Sequence, residues 1–471
     1  MTSLPAVRAR RRNQLPDPAR EQLPIPQRIV TSWWTWLAVG MVIVFAACLA
    51  SLFFDVTADK EVNEGVVPGV NPSAIRQAAW YATSTLVFWV VVFLAADRFR
   101  PQRWIVWFLS LGWGASVATY LSYYANSWAA QQMAVTGDFD PATSARAAVF
   151  VAPFVEEAAK ATVLFWLAIL ARYRFVSKVS LIVMGGLSGA GFAFTENIIY
   201  YARAIVYASQ TIEVGDADAA IAQIVWLRGF WTAFGHPLFT MMTAIGVAVA
   251  LRTHSKVVRV LAPLAGYGTA ALLHMVFNSQ ATLTSGDAQV MIYFLVAVPM
   301  VFSAVVYVVR QVLKQGHLIR VRLTDYVQMG WLEPTDPFVF SRQRSRWRSL
   351  LVALTRGWTA LIATVSLQRA VTELAYLRDA EVKGVVDATA ALRAKELIER
   401  VGELRTVGIS DPRGLKLSLP RLRRRPLAGT SEPGGPPAGG LADPAATPGQ
   451  PPPVGSQRYS VVDPTWGPPG G

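Results

Sequence analysis

The chain has 471 residues, 53% hydrophobic and 16% charged, with a net charge of +14 and a mean hydropathy of +0.35. Soluble domains carry about 25% charged residues, so the composition excludes an ordinary soluble enzyme and points to an all-α, polytopic helical membrane protein. Positive charge in such proteins collects on the cytoplasmic face, no nucleic-acid motif accompanies it, and the single Cys48 excludes an internal disulfide and a cysteine-based metal site.

Residues 1–30 are rich in Arg and Pro (RARRRNQLPDPAREQLPIPQR) and read as a disordered cytoplasmic tail. The apolar segment after them is long and lacks a small-residue cleavage site, so it reads as a retained signal anchor. A bilayer takes about 20 apolar residues per helix. On that measure the chain has eight predicted spans, 32–54, 79–96, 104–130, 147–171, 179–202, 229–251, 257–280 and 288–310, which form a membrane domain over 31–314. The loops DRFRPQR, RYRFVSK and RTHSKVVR each carry at least three Lys or Arg, whereas the intervening loops are acidic or neutral. This alternation predicts a multi-pass protein of the cell membrane with both termini in the cytoplasm.

After Arg310 the character changes. Residues 315–345 are polar and basic and read as a loop-rich connector; 343–408 show apolar residues at helical spacing, giving a cytoplasmic helical region over 315–425. Within it, LLVALTRGWTALIATVSL is interrupted by Arg356 and Gly357 and is too short to span. It is expected to lie on the leaflet or against its neighbours. The basic segment 421–425 suits anionic lipid. Residues 426–471 are Pro/Gly-rich and read as disordered.

Against this background, ionisable groups inside spans stand out, because they are costly at membrane depth and by default mark function. Glu156 and Glu157 lie in FVAPFVEEAAKATVLFWLAIL with Lys160 a turn away; Glu196, His236 and His274 lie in three further spans. With about 1.5 Å of rise per residue, Glu156 and Glu157 fall about 13–15 Å from the outer end of their span, and Glu196, His236 and His274 about 9–10 Å from theirs. Polar groups on four helices thus share one layer. Glu156 and Lys160 are four apart and can pair; Glu157 points about 100° away from Glu156. His274 and Asn278 share a helix face, and Gly185, Gly186, Gly189 and Gly191 allow close helix approach ahead of Glu196.

Two imidazoles and a carboxylate resemble a three-ligand zinc site. In that reading His236, His274 and Glu196 are the ligands, Glu156 or Glu157 is the base on the attacking water, and Asn278 polarises the substrate or holds the water. A metal-free variant uses a glutamate base directly, with the histidines and Asn278 stabilising the oxyanion.

The motifs EEAAK at 156–160, GFAFTENIIYY at 191–201, HPLFTMMTAIG at 236–246 and HMVFN at 274–278 resemble the four motifs of the PrsW family. These are membrane-embedded proteases of the CAAX-processing and ABI protease superfamily. The resemblance covers about residues 75–315. It implies that the Glu156–Glu157 pair supplies the base and that His236 and His274 are the family's two histidines. Phe192 is followed at the family spacing by Glu196, where the CAAX relatives have a histidine, so a prenylated substrate is not implied. The implied activity is intramembrane cleavage of a single-pass membrane protein, such as a membrane-anchored anti-sigma factor. Two other functions draw on the same residues. An ion- or proton-coupled transporter also uses buried Glu and His, and a scaffold could use them as interhelical glue, though glue has no reason to keep one depth.

Overall fold

The computed structural model describes residues 23–62, 65–99, 102–135, 141–170, 177–210, 216–283, 286–383 and 390–417. The expectations for 1–22, for the basic segment 421–425 and for the tail 426–471 lie outside the described residues. The chain divides into two compact units, residues 1–318 and 319–471.

In the first unit, α1 (Ile25–Val30) is a short helix with a proline in its first turn. The disorder expected over 1–30 therefore does not extend to these residues. Helix α2 (Trp33–Thr57) is followed by a two-stranded hairpin, β1 (Lys60–Val62) and β2 (Gly65–Val67), paired Lys60 to Val67. The hairpin was not expected; its strands are three residues long, too short for a periodicity signal. Asn71 caps α3 (Pro72–Ala96) by accepting from the Ala74 amide at 2.7 Å.

Helix α4 (Trp104–Gly112) runs through a π-helical turn, Trp113–Ala118, into α5 (Thr119–Val135). Then come α6 (Pro141–Phe150), α7 (Ala152–Leu170), α8 (Lys178–Gln210) and α9 (Ala217–Trp226). A second π-helical turn, Leu227–Trp231, precedes α10 (Gly235–Ala250). The unit continues with α11 (Lys256–Leu283), α12 (Gly286–Ile292), a third π-helical turn (Tyr293–Ala297) and α13 (Val298–Gln328).

Seven helical stretches among the described residues are long and apolar enough to cross a membrane: Trp33–Thr57, Pro72–Ala96, Trp104–Gln132, Lys178–Ser209, Ala217–Ala250, Lys256–Gln280 and Gly286–Gln328. The remaining expected span, the fourth (147–171), corresponds to α6 and α7, which break at Val151 just before Pro153. Helix α7 has 19 residues, and Glu156, Glu157 and Lys160 lower its hydropathy. Several span limits also move. The second begins at Pro72 instead of 79, the fifth runs to Ser209, and the sixth begins at Ala217. Glu196 therefore lies 14 residues from the end of α8, about 21 Å instead of the expected 9 Å.

Helix α8 is the hub. Its most apolar window is 89% buried, against 11% for α2, so the first span lies at the periphery and α8 at the centre. Its small residues make this possible. A Cβ on Gly191 would stand 2.9 Å from the Ala115 amide nitrogen, and one on Gly114 would stand 2.7 Å from the Ser188 carbonyl carbon. Backbone therefore rests on backbone where α8 meets the first π-helical turn.

In the second unit, the segment expected as a loop-rich connector is helical through Gln328, because its polar residues alternate with apolar ones that bury Ile319, Leu323 and Tyr326. Helices α14 (Asp336–Ser341), α15 (Gln343–Arg356), α16 (Trp358–Val382) and α17 (Ala390–Arg405) follow. The expected interruption is real: Gly357 has φ +108°, a conformation open to glycine, and separates α15 from α16. Both helices pack within this unit around Val352, Ala353 and Ala360.

Candidate active site

Helix α7 carries Pro153 in its first turn, where a missing N–H costs nothing, and buries Glu156, Glu157 and Lys160 within its next two turns. Three ionisable groups survive such burial only when each is paired. The Lys160 Nζ donates to Glu157 Oε1 at 2.8 Å and Glu156 Oε2 at 3.3 Å, lies 2.8 Å from His236 Nδ1, and stands 3.9 Å from the centroid of the Phe192 ring. The expected Glu156–Lys160 pair is present, with Glu157 the closer partner.

The two glutamates diverge as their spacing requires. Glu157 turns inward: its Oε2 accepts from Thr240 Oγ1 at 2.9 Å, and its Oε1 lies 3.1 Å from His274 Nδ1. Glu156 turns toward both imidazoles, with Oε2 3.9 Å from His236 Nδ1 and 3.9 Å from His274 Nε2. Its Oε1 accepts from Asn126 Nδ2 at 3.2 Å.

His236 sits on the first turn of α10, just after the chain leaves helical geometry at Thr232–Phe234. The break in the helix thus falls ahead of Pro237, which suits a proline in a first turn. His236 Nε2 lies 2.8 Å from Glu196 Oε2 on α8. A carboxylate only accepts hydrogen bonds, so Nε2 carries the proton and Nδ1 is bare. The same reasoning makes His274 Nδ1 the protonated nitrogen, donating to Glu157, and leaves Nε2 bare. The two rings stand 5.1 Å apart, with His274 stacked on Phe239 at 5.0 Å.

Three unprotonated ligand atoms thus converge, two of them, Glu156 Oε2 and His236 Nδ1, accepting from Lys160. One ligand atom each from Glu156, His236 and His274 lies within 4.8 Å of the others. The expected ligand set named Glu196 in place of Glu156. The distances put Glu196 behind His236, on the far nitrogen of the ring, and Glu156 in front. Two imidazoles and a carboxylate fit zinc in type and number. The carboxylates on the far nitrogens of both rings, Glu196 on His236 and Glu157 on His274, are the partners that metal-binding histidines require. Counted as ionised, Glu156, Glu157 and Glu196 against Lys160 and Arg228 leave one net negative charge. Lys160 is the one counterweight, since holding a cation would require it to release His236 Nδ1.

Asn278, expected near the reacting groups, donates to the Ala148 carbonyl at 2.9 Å. It shares a helix face with His274 but ties α11 to α6. Sequence reasoning missed Thr240, Asn126 and Arg228. Thr240 follows His236 by one turn, so that spacing was a usable signal. Asn126 is an amide inside an apolar span. Arg228 lies in IVWLRGFWTAF, and starting the sixth span at 229 left it outside. Arg228 gathers an acid, an amide and a phenol on α8: Nη2 donates to Glu196 Oε2 at 2.7 Å, Nε donates to Asn197 Oδ1 at 2.9 Å, and the guanidinium lies 3.8 Å from the Tyr200 ring centroid.

Residues 101–304 match the family model described as PrsW family intramembrane metalloprotease. That stretch contains every residue of the cluster. No curated protein and no solved structure matches the chain.

Proposed function

We propose, from the match of residues 101–304 to the PrsW family of intramembrane metalloproteases, that this chain is an intramembrane protease of that family and hydrolyses a peptide bond of a single-pass membrane protein, an anti-sigma factor in the role the family implies. The observation that carries the reading is the convergence of Glu156, His236 and His274 to within 4.8 Å from three helices. Glu156 is the carboxylate that handles the attacking water, either as its base or as ligand to a cation that activates it. His236 and His274 hold fixed orientations because Glu196 and Glu157 take their far N–H groups. Lys160 supplies a buried positive charge for the oxyanion of the tetrahedral intermediate. Phe192, Phe239 and the surrounding apolar side chains keep the bulk dielectric away and strengthen these interactions.

Zinc, if held, would take Glu156, His236 and His274 as ligands, and when bound it brings the pKa of a water near 7. The residues fit that group, with Lys160 kept on Glu157. Counting α7 as a crossing helix gives eight spans and both termini on one side, the cytoplasmic one by the charge of the loops. The family match favours hydrolysis over the carrier reading of the same cluster.

The test is cleavage of candidate single-pass proteins by purified protein in liposomes, comparing wild type with Glu156→Gln, His236→Ala and His274→Ala. Each variant is expected to insert normally and to leave the substrate intact. Cleavage unchanged in all three would eliminate the proposal. Metal content before and after chelation separates the two roles of Glu156, since activity retained in metal-free protein excludes zinc.

A further inference from the structure

Arg228 is a charged side chain inside a stretch, Ala217–Ala250, that is apolar enough to cross a membrane. Such a residue is expensive and needs a reason. Its position is built rather than incidental. It lies on the π-helical turn Leu227–Trp231, a geometry that leaves carbonyls without their regular partners. Helix α3 takes up the carbonyls of this segment: Thr85 Oγ1 donates to the Gly229 carbonyl at 2.8 Å, and Trp89 Nε1 donates to the Ala233 carbonyl at 2.9 Å. The segment that carries Arg228 and leads into His236 is therefore pinned from a separate helix.

From that anchorage the guanidinium reaches α8. One edge engages Glu196 at 2.7 Å and Asn197 at 2.9 Å, and its face covers Tyr200. Glu196 uses the same oxygen, Oε2, for Arg228 and for His236 Nε2. Side-chain exposure rises from 16% at His236 through 19% at Glu196 to 25% at Arg228. Arg228 is thus the outermost link of a chain that ends on the bare Nδ1 of His236.

We propose that Arg228 is a positioning residue for catalysis: it holds the Glu196 carboxylate in place, and Glu196 in turn fixes the orientation of His236. The inference rests on the protease reading above. A planar fork is needed to hold a carboxylate and an amide oxygen at once, and a lysine offers only a point charge. Removal of such a supporting partner typically costs 10–100-fold in activity.

The experiment measures cleavage of a single-pass substrate in liposomes by wild type, Arg228→Gln, Arg228→Lys, Glu196→Gln and the double variant Arg228→Gln/Glu196→Gln. A Glu156→Gln sample shows that cleavage depends on the site. Expected are losses in kcat of about 10–100-fold for each single Gln variant, KM within twofold of wild type, only partial rescue by Lys, and a double variant no slower than the slower single one. Non-additivity of that kind identifies two residues acting through one another. Thermal unfolding of each variant identifies any that fails to fold, and the Lys variant then carries the kinetic test. Independent, multiplying losses would overturn the proposal, as would a rise in KM alone, which would make Arg228 a substrate contact. So would full activity in Arg228→Gln. If wild type and Glu156→Gln do not differ, the protease reading itself fails, whatever Arg228 does.

Discussion

Substituting Gly189 by Ala is expected to disable the site from outside it. Gly189 lies on α8 against the start of α10. A Cβ there would stand 2.6 Å from the His236 carbonyl carbon and 2.8 Å from Pro237 Cα, where ordinary contact begins at 3.4 Å. All the nearest atoms are backbone, so no flexible side-chain end can give way. The first turn of α10 must retreat by roughly 0.8 Å, and His236 moves with it away from Glu156 and Glu196. A misplacement of about 1 Å costs on the order of 100-fold in rate. The expected loss is therefore about 10–100-fold, or about 1.4–2.7 kcal/mol in the barrier. Overpacking should also destabilise the fold by about 1–3 kcal/mol, which leaves most of the protein folded. The control is Gly268→Ala on α11, where a Cβ meets nothing within 4 Å and activity should not change. Initial cleavage rates in liposomes, normalised to folded protein by thermal unfolding, check both. A Gly189→Ala protein within threefold of wild type, or an equal loss in Gly268→Ala, would refute the reasoning.

Other perturbations probe the remaining links. Glu156→Gln and His274→Ala should each lower cleavage by about 100- to 10,000-fold, read as accumulation of uncut substrate at unchanged enzyme level. Lys160→Met leaves Glu157 buried without its ammonium partner and should cost about 3–5 kcal/mol of stability; adding Glu157→Gln should recover part of it in chemical denaturation, and no recovery would mean that the pair is not coupled. Removing divalent metal with a chelator should abolish cleavage and zinc should restore it if Glu156 acts as a ligand, whereas persistent activity assigns it as the base. Thr85→Val with Trp89→Phe frees the carbonyls of Gly229 and Ala233, and should slow cleavage by about tenfold through loss of support around the site, measured beside an unchanged expression level.

The membrane class and the residues that matter were legible in the linear order because the bilayer penalises charge so heavily. Glu156, Glu157, Lys160, Glu196, His236 and His274 were all conspicuous as ionisable groups in apolar runs, and all six meet in space. Span limits were less legible. Helices such as α8 continue to Gln210 through residues that are helical but no longer strongly apolar, and hydropathy does not register where a helix stops. The run 147–171 was legible as a span, yet α7 is absent from the seven helices apolar enough to cross, because the charges that mark the site also weaken its signal.

Which side of each imidazole faces the reacting groups was decided only in three dimensions. Spacing along one helix says that Glu156 and Glu157 diverge, but it carries no information on the neighbour each one meets. Thr240, Asn126 and Arg228 became partners because α8 lets α10 and the first π-helical turn approach to backbone contact at Gly189, Gly191 and Gly114. The chain's composition determined that polar groups would be driven together out of lipid. Helix packing, set by where side chains are absent, determined that Glu156 stands in front of the histidines and Glu196 behind them.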